Sequence, residues 1–309
     1  MLSMLDPREK KINDCVEYFC THKDIKLVEC AKMFGIYYGT LRDHLRAIGE
    51  WENRNHYKSN ESFFEKIDTE KKAYWLGFLT ADGCIKTKSN CVSIALAVKD
   101  VEHLYRFKKD VESEHPIKIE QHVTFDGAVK ESCALRISSR KLHHDLENLG
   151  FTPNKSCHEQ PVDLPENLRP HYIRGMFDGD GWFSCNVISV VKAGKRYPQL
   201  DSEFGIGMGS EMLAYIKHCL EVDAGVRPYS VKPYKSIFRY RVTSHKEVLK
   251  VYHYLYDNAE TYLPRKYDNF QEFCRLVSMS PRERLDYKSG IKLEGRKDRN
   301  VSLSEPKAS

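Results

Sequence analysis

The alternation of apolar and polar positions divides the chain into a short helical segment, two similar halves and a polar tail. Ile12, Val16 and Phe19 recur at helical spacing behind Asp6-Pro7-Arg8-Glu9, where Asp6 can cap a helix that Pro7 begins. Leu27 to Leu45 reads as helix, tight turn and helix. Ala31 is the small residue at the crossing, Gly35 makes the turn, and Phe34, Ile36, Leu41 and Leu45 fill the apolar face. Residues 1–50 are therefore predicted to form a small all-α domain, with its last helix over 40–48, and the polar, asparagine-containing stretch 51–62 a linker.

From residue 63 the pattern reads α-β-β-α-β-β-α. A helix ends near Gly83 and a loosely alternating stretch runs to Lys99. Residues 101–111 carry Leu104, Phe107 and Val111 on one helical face. A hairpin of 117–125 and 128–138 turns at Asp126-Gly127, and a helix over 141–149 closes at Gly150. The order returns in 161–277: a helix over 165–180, strands within 182–209, a helix over 210–223, strands within 227–243 and a helix over 245–259. The segment 278–309 lacks an apolar pattern and is expected to be a basic, flexible tail.

The repeat is also visible in the letters. WLGFLTADG at Trp75–Gly83 aligns with IRGMFDGDG at Ile173–Gly181, LRISSRK at Leu135–Lys141 with YRVTSHK at Tyr240–Lys246, and Pro153-Asn154-Lys155 with Pro264-Arg265-Lys266. Ala73, Gly77 and Ala81 recur every fourth residue, as do Gly175 and Gly179, so each copy offers a helical face without bulk to its twin. Each helix would stop at Asp-Gly, with Gly83 or Gly181 as a left-handed cap. Asp82 and Asp180 would then sit together at the negative ends of two helix dipoles, which is unfavourable unless a cation lies between them. A single Asp-Gly is an ordinary helix stop; two with the same spacing point to a paired metal site.

Composition adds bounds. The 309 residues are 41% hydrophobic, enough for two or three domains, and the net charge of +5 permits a nucleic-acid partner without requiring one. No run reaches the length of a membrane span, and the N-terminus lacks the apolar core of a signal peptide. An intracellular protein is expected, in the cytoplasm or nucleoid of a prokaryotic or phage-infected cell or in an organelle matrix. The ten cysteines are scattered without a CxxC pair, so reduced thiols are expected and zinc is not supported.

Both nine-residue copies resemble the LAGLIDADG motif of homing endonucleases, in the single-chain form with two motifs, over about residues 61–277. The resemblance implies an α+β fold of tandem pseudo-symmetric αββαββα halves with saddle-shaped antiparallel sheets, here preceded by a small all-α domain. It implies that Asp82 and Asp180, eighth in each motif, are the catalytic carboxylates holding Mg²⁺ or Mn²⁺, and that both DNA strands are cut across the minor groove. The carbonyls of Ala81 and Gly179 stand beside those carboxylates as further ligands. It also implies a catalytic lysine in each half, for which Lys155 and Lys266 are candidates; a salt bridge or helix-end contact is their competing role. At the sixth motif position, usually acidic, stand Thr80 and Asp178, and Arg174 occupies a position usually apolar or small.

The stretch Val226–Ser244 holds Arg227, Lys232, Lys235, Arg239 and Arg241, with Tyr229, Tyr234 and Tyr240 and no acid. It is the candidate DNA-contacting sheet face, against the alternative of a merely solvated one. Lys86 and Lys88 follow the first motif; the hairpin of the first half offers neutral Gln121, His122 and Thr124. Arg42 and Arg46 would face DNA if the N-terminal segment is a helix-turn-helix rather than a plain three-helix bundle. His171 and the pair His143-His144 are expected to be surface or structural groups. The partner would be double-stranded DNA with a long asymmetric target, bound by a monomer without membrane contact. An intron RNA maturase and a non-catalytic DNA-binding regulator are the rival readings.

Overall fold

The computed structural model describes residues 6–22, 24–50, 57–123, 127–152 and 160–287. Residues 1–57 and 58–309 form separate compact units. The first contains α1 (Pro7–Thr21), α2 (Leu27–Met33) and α3 (Tyr38–Ala47). Asp6 accepts a hydrogen bond from the Arg8 N–H, and Pro7 opens α1 as the sequence predicts. Cys15, Phe19, Cys30, Ala31, Leu41 and Leu45 close the core of this unit. Gly35 turns the chain between α2 and α3 at φ +57°, a conformation that favours glycine.

The second unit repeats one motif. Its first half is α4 (Glu70–Asp82), β1 (Gly83–Lys86), β2 (Cys91–Ala97), α5 (Val101–Asp110), β3 (Ile117–Val123), β4 (Val129–Ser138) and α6 (Arg140–Asn148). Its second half is α7 (Arg169–Asp180), β5 (Gly181–Lys192), β6 (Lys195–Met208), α8 (Ser210–Val222), β7 (Lys232–Tyr234), β8 (Ile237–Val242) and α9 (His245–Tyr256), followed by α10 (Pro264–Ser278). The two sheets are antiparallel, in order β1-β2-β4-β3 and β5-β6-β8-β7. Their registers match: Gly83 faces Ile94, and Gly181 faces Ile206. One core spans both halves, joining α4 and α7 to the inner sheet faces through Ile85, Ile94, Leu135, Phe204, Ile206 and Val242. With its all-α N-terminal unit, this is the α+β architecture expected.

Several boundaries differ from the sequence expectation, each for a local reason. Residues 58–62 are bonded to the first half rather than bridging: Lys58 and Glu114 exchange hydrogen bonds, and the Asn60 N–H donates to the Val111 carbonyl. Helix α7 starts at Arg169, because 165–168 close a tight turn in which the Leu168 N–H bonds to Pro165 O. Residues 227–231 are not in a strand; the Arg227 N–H is taken by Glu247 Oε2. Helix α10 was not anticipated, although Phe270, Phe273 and Leu276 bury one face of it. Residues 281–287 are helical, and Arg284 fastens them to the carbonyls of Leu276 and Val277, so the tail does not begin at 278.

Candidate active site at the seam of two helices

Helices α4 and α7 touch backbone to backbone. A Cβ on Gly77 would overlap the Tyr172 carbonyl, and one on Gly175 would overlap the Tyr74 carbonyl and lie 2.6 Å from the Phe78 nitrogen. The small-residue stripe is thus spent on proximity, as its spacing predicts. Further along, a Cβ on Gly179 would overlap Ala81 and come within 3.3 Å of Asp82 Oδ2. The carboxylate of the first motif therefore leans against the last turn of the second.

Gly83 and Gly181 are not left-handed caps. Both are extended, at φ −81° and −84°, and lead straight into β1 and β5. Glycine is required there for space: a Cβ would lie 2.5 Å from Leu79 O at Gly83, and 2.7 Å from Phe177 O, against the Phe177 ring, at Gly181. Asp82 is half-buried and Asp180 exposed. Both act on one cation, Lys266, whose ammonium is held down to about 8 by burial while Asp178, Asp82 and Asp180 pull it upward.

Lys266, near the start of α10, donates to the carbonyls of Phe177 (2.5 Å), Gly179 (3.5 Å) and Gly181 (2.6 Å). It caps the C-terminal carbonyls of α7, the helix-end contact that the sequence left open, and it takes part of the Gly179 oxygen expected to serve as a ligand. Lys155 and Thr124 lie outside the described residues, as do the side chains of Lys88 and His122. Among the described residues no three His, Cys, Asp or Glu side chains group to hold a metal ion.

Behind the seam lies a buried polar network that the sequence did not disclose. Arg174, fully buried, pairs with Glu70 and donates to the carbonyls of Thr261 (2.9 Å) and Leu255 (2.6 Å). His171 Nδ1 lies 2.9 Å from the same guanidinium; burial and that neighbouring charge hold its imidazole down to about 4. Asp178 accepts from Tyr74 OH (2.9 Å), Tyr256 OH (3.2 Å) and the Leu263 N–H (2.7 Å). Burial pushes its carboxyl above the ordinary range, against Lys266 and these donors. His103 Nε2 meets the Tyr74 hydroxyl at 2.8 Å, and its burial lowers it to about 3. The network joins α4, α7, α9 and the loop before α10. Asp178 and Arg174 stand out in the sequence, one at the usually acidic sixth motif position and the other at a position usually apolar or small, but nothing there points to their partners.

A cavity of about 310 Å³ opens beside Asp82, lined among others by Phe78, Leu96, Lys99, Asp100 and Arg265. Asp100 and Arg265 form an ion pair at 3.0 Å across the two halves. Lys99 is exposed at the rim and was not singled out by the sequence, because a lysine in a turn carries no pattern.

The cations expected to meet DNA have different fates. Lys86, Lys232 and Lys235 are exposed. Arg239 and Arg241 point away from the helices, since Tyr240 and Val242 between and beyond them are buried. Arg241 is paired with Glu203, while Arg227 bonds to Tyr229 OH at 3.1 Å outside the sheet. Gln121 is tied to Glu131 at 3.0 Å. In the N-terminal unit, Arg42 pairs with Asp43 at 2.9 Å, and Arg46 stands 3.9 Å from the same carboxylate. Among the described residues no helix is long and apolar enough to cross a membrane.

No family model and no curated protein matches the chain by sequence. Solved structures do match it in shape. One is the meganuclease I-SmaMI bound to uncleavable DNA, 14% identical, with 71% of this chain and 96% of that one covered at a TM-score of 0.47. Another is the LAGLIDADG meganuclease I-CpaMI bound to uncleaved DNA, 15% identical, covering 78% and 100% at 0.45. A third is full-length DUF199/WhiA from Thermatoga maritima, 13% identical, covering 76% and 72% at 0.42. The described residues themselves show two motif helices packed at their glycines, each leading into a four-stranded antiparallel sheet of matching strand order.

Proposed function

We propose that the chain is a site-specific double-strand DNA endonuclease, a homing endonuclease, that hydrolyses phosphodiester bonds at the seam of α4 and α7 with Mg²⁺ or Mn²⁺. The observation that supports it is the placement of Asp82 Oδ2 against Gly179, at the touching ends of two helices that each finish in a carboxylate. The donors available there are all oxygen, the ligand class of hard divalent cations and not of zinc. Asp82 and Asp180 would hold the metal with the carbonyls of Ala81 and Gly179, leaving positions for water and phosphate oxygens. Such an ion supplies a nucleophilic hydroxide and neutralises charge on the phosphate.

The remaining roles belong to the chain. Lys266 fixes the last turn of α7 and hence the backbone from which Asp180 projects. Lys99, at the cavity beside Asp82, would offset negative charge gathering on the phosphate under attack. Lys155, aligned with Lys266 by the Pro-x-Lys echo of the sequence, would be the catalytic lysine of the first half. The outer faces of the two sheets would follow the duplex, and Arg42 and Arg46 on α3 would contact flanking DNA. The target would be a long asymmetric site met by one monomer inside the cell, and a maturase role would add intron RNA as a partner.

Mg²⁺-dependent cutting of a duplex spanning the insertion site of its own gene tests the reading. Asp82→Asn and Asp180→Asn are expected to bind that duplex and to lose double-strand cleavage; unchanged cutting by either rejects the site. A second reading, a DNA-binding regulator without catalysis, draws on the Lys266 ammonium, a built-in cation that reaches the Gly179 carbonyl, one of the oxygens a metal would use. Sequence-specific binding by the wild type without cleavage at any divalent ion concentration would favour it.

A further inference from the structure

Arg239 sits in a slot that fixes its plane and leaves one end open. Its Cζ lies 3.2 Å from the centroid of the Tyr234 ring and 5.2 Å from that of Trp182. Trp182 is itself held: Nε1 donates to Glu203 Oε1 at 2.8 Å, and the ring lies over Gly205, where a Cβ would overlap it. The Nε of Arg239 is buried without a hydrogen-bond partner, while the residue as a whole is partly exposed and its two Nη nitrogens make no hydrogen bond among the described residues. Directly across the ladder stands exposed Lys232, a like charge. Like charges facing each other on a sheet repel, and a negatively charged ligand removes that penalty.

Arg241 is two residues further along the same face, and its guanidinium is engaged by Glu203, the residue that also anchors Trp182. The two arginines therefore present different surfaces. One is neutralised by a carboxylate. The other is stacked, charged and open at its Nη end.

We infer that Arg239 is a sequence-reading residue of the second sheet, directing its two Nη groups to the O6 and N7 acceptors of a guanine, with Tyr234 and Trp182 as the walls that aim it. This rests on the DNA reading above. Guanine is the base whose major-groove edge sets two acceptors side by side, and a planar guanidinium meets both at once. Ring stacking limits the rotamers that the long side chain would otherwise lose on binding. A lysine retains the charge and loses both the paired donors and the stacking.

The test is selection of bound sequences from a random duplex library by the full chain, with Ca²⁺ as the divalent ion. The wild type is expected to enrich a motif with guanine at one fixed position. Arg239→Lys is expected to lower discrimination at that position about tenfold, with the other positions retained. Tyr234→Leu, which leaves the arginine and removes one wall, is expected to weaken the same position less. A wild type that enriches no sequence overturns the DNA reading and this inference with it. A wild-type motif that both variants select unchanged overturns the inference alone.

Discussion

The two halves of the second unit share one backbone plan and differ in where they keep their charge. In the first half, the sixth motif residue is Thr80, whose hydroxyl donates to Leu76 O one turn back. In the second it is Asp178, which gathers three donors from α4, α9 and the loop before α10. Counted from the isoleucine that faces the motif glycine, the fifth residue is Lys99, in the turn before α5, in the first half and Glu211, in the first turn of α8, in the second. A duplicated helix seam restricts side-chain volume in both copies equally, because each backbone is the other's wall. Charge is not restricted in this way, and the buried charges have collected on the second copy.

The seam should break symmetrically. Gly77→Val and Gly175→Val both put branched carbons where the opposing backbone lies, with no flexible group to yield. Each is expected to cost more than about 4 kcal/mol, enough to unfold a marginal domain. Urea denaturation monitored by circular dichroism measures it. A large difference between the two variants would mean that the helices do not constrain each other equally.

The network should break asymmetrically. Asp178→Asn keeps the shape but turns an amide donor toward two hydroxyls and a backbone N–H that need acceptors, a loss of about 3 kcal/mol. Thr80→Val removes one local bond in a helix and is expected to cost less than about 1 kcal/mol. Equal losses in urea midpoint for the two variants would remove the distinction between the halves.

What the sequence disclosed follows the same division. Volume constraints leave a periodic mark, so the seam, the two sheets and the position of Asp82 and Asp180 were legible from Gly77, Gly175 and the alternating strands. Hydrogen-bond partners leave none. Glu70, Tyr74, Tyr256 and Thr261 are each ordinary at their places in the chain, and only the folded structure shows that they enclose Arg174 and Asp178. The cap geometry was misread for a related reason: an Asp-Gly pair is the same two letters whether glycine is needed for a left-handed turn or for room beside Leu79 and Phe177. Helix α10 escaped because its leading Pro264 was read as an echo of Pro153 rather than as a helix start.

Acid should act through a buried histidine in each half. His171 is neutral in the folded protein down to about 4, held there by burial and by Arg174, with Glu70 4.0 Å away; in the unfolded chain it takes a proton near the usual 6.5. Between these values the unfolded state binds more protons, so stability falls as pH drops from about 6.5 to about 4. His103, lowered to about 3, acts in the same direction, while Asp178, raised by burial, opposes it. His171→Gln, which still offers an oxygen to Arg174, is expected to flatten the fall in urea midpoint between pH 7 and pH 4.5. An identical fall in both proteins would remove His171 from the account.

The finest contrast is between the two carboxylates. Asp82 opens on a cavity whose lining includes exposed Lys99, and the residue at the same count in the second half is Glu211, exposed in the first turn of α8. If both carboxylates serve the same reaction, and Glu211 borders Asp180 as Lys99 borders Asp82, a phosphate beside Asp82 meets an added positive charge and one beside Asp180 an added negative charge. The strand at Asp82 is then cut first, and a singly nicked circle accumulates when a supercoiled plasmid bearing the target is digested. A charge at the rim is partly screened, so the effect is on the order of tenfold or less in relative rate. Lys99→Glu should slow the first cut and reduce the nicked intermediate, whereas Glu211→Lys should speed the second cut and reduce it from the other side. The double exchange should reverse which strand is nicked, as read by end-labelling each strand. Retention of the original strand order in the double variant would mean that the charges at these positions do not set it.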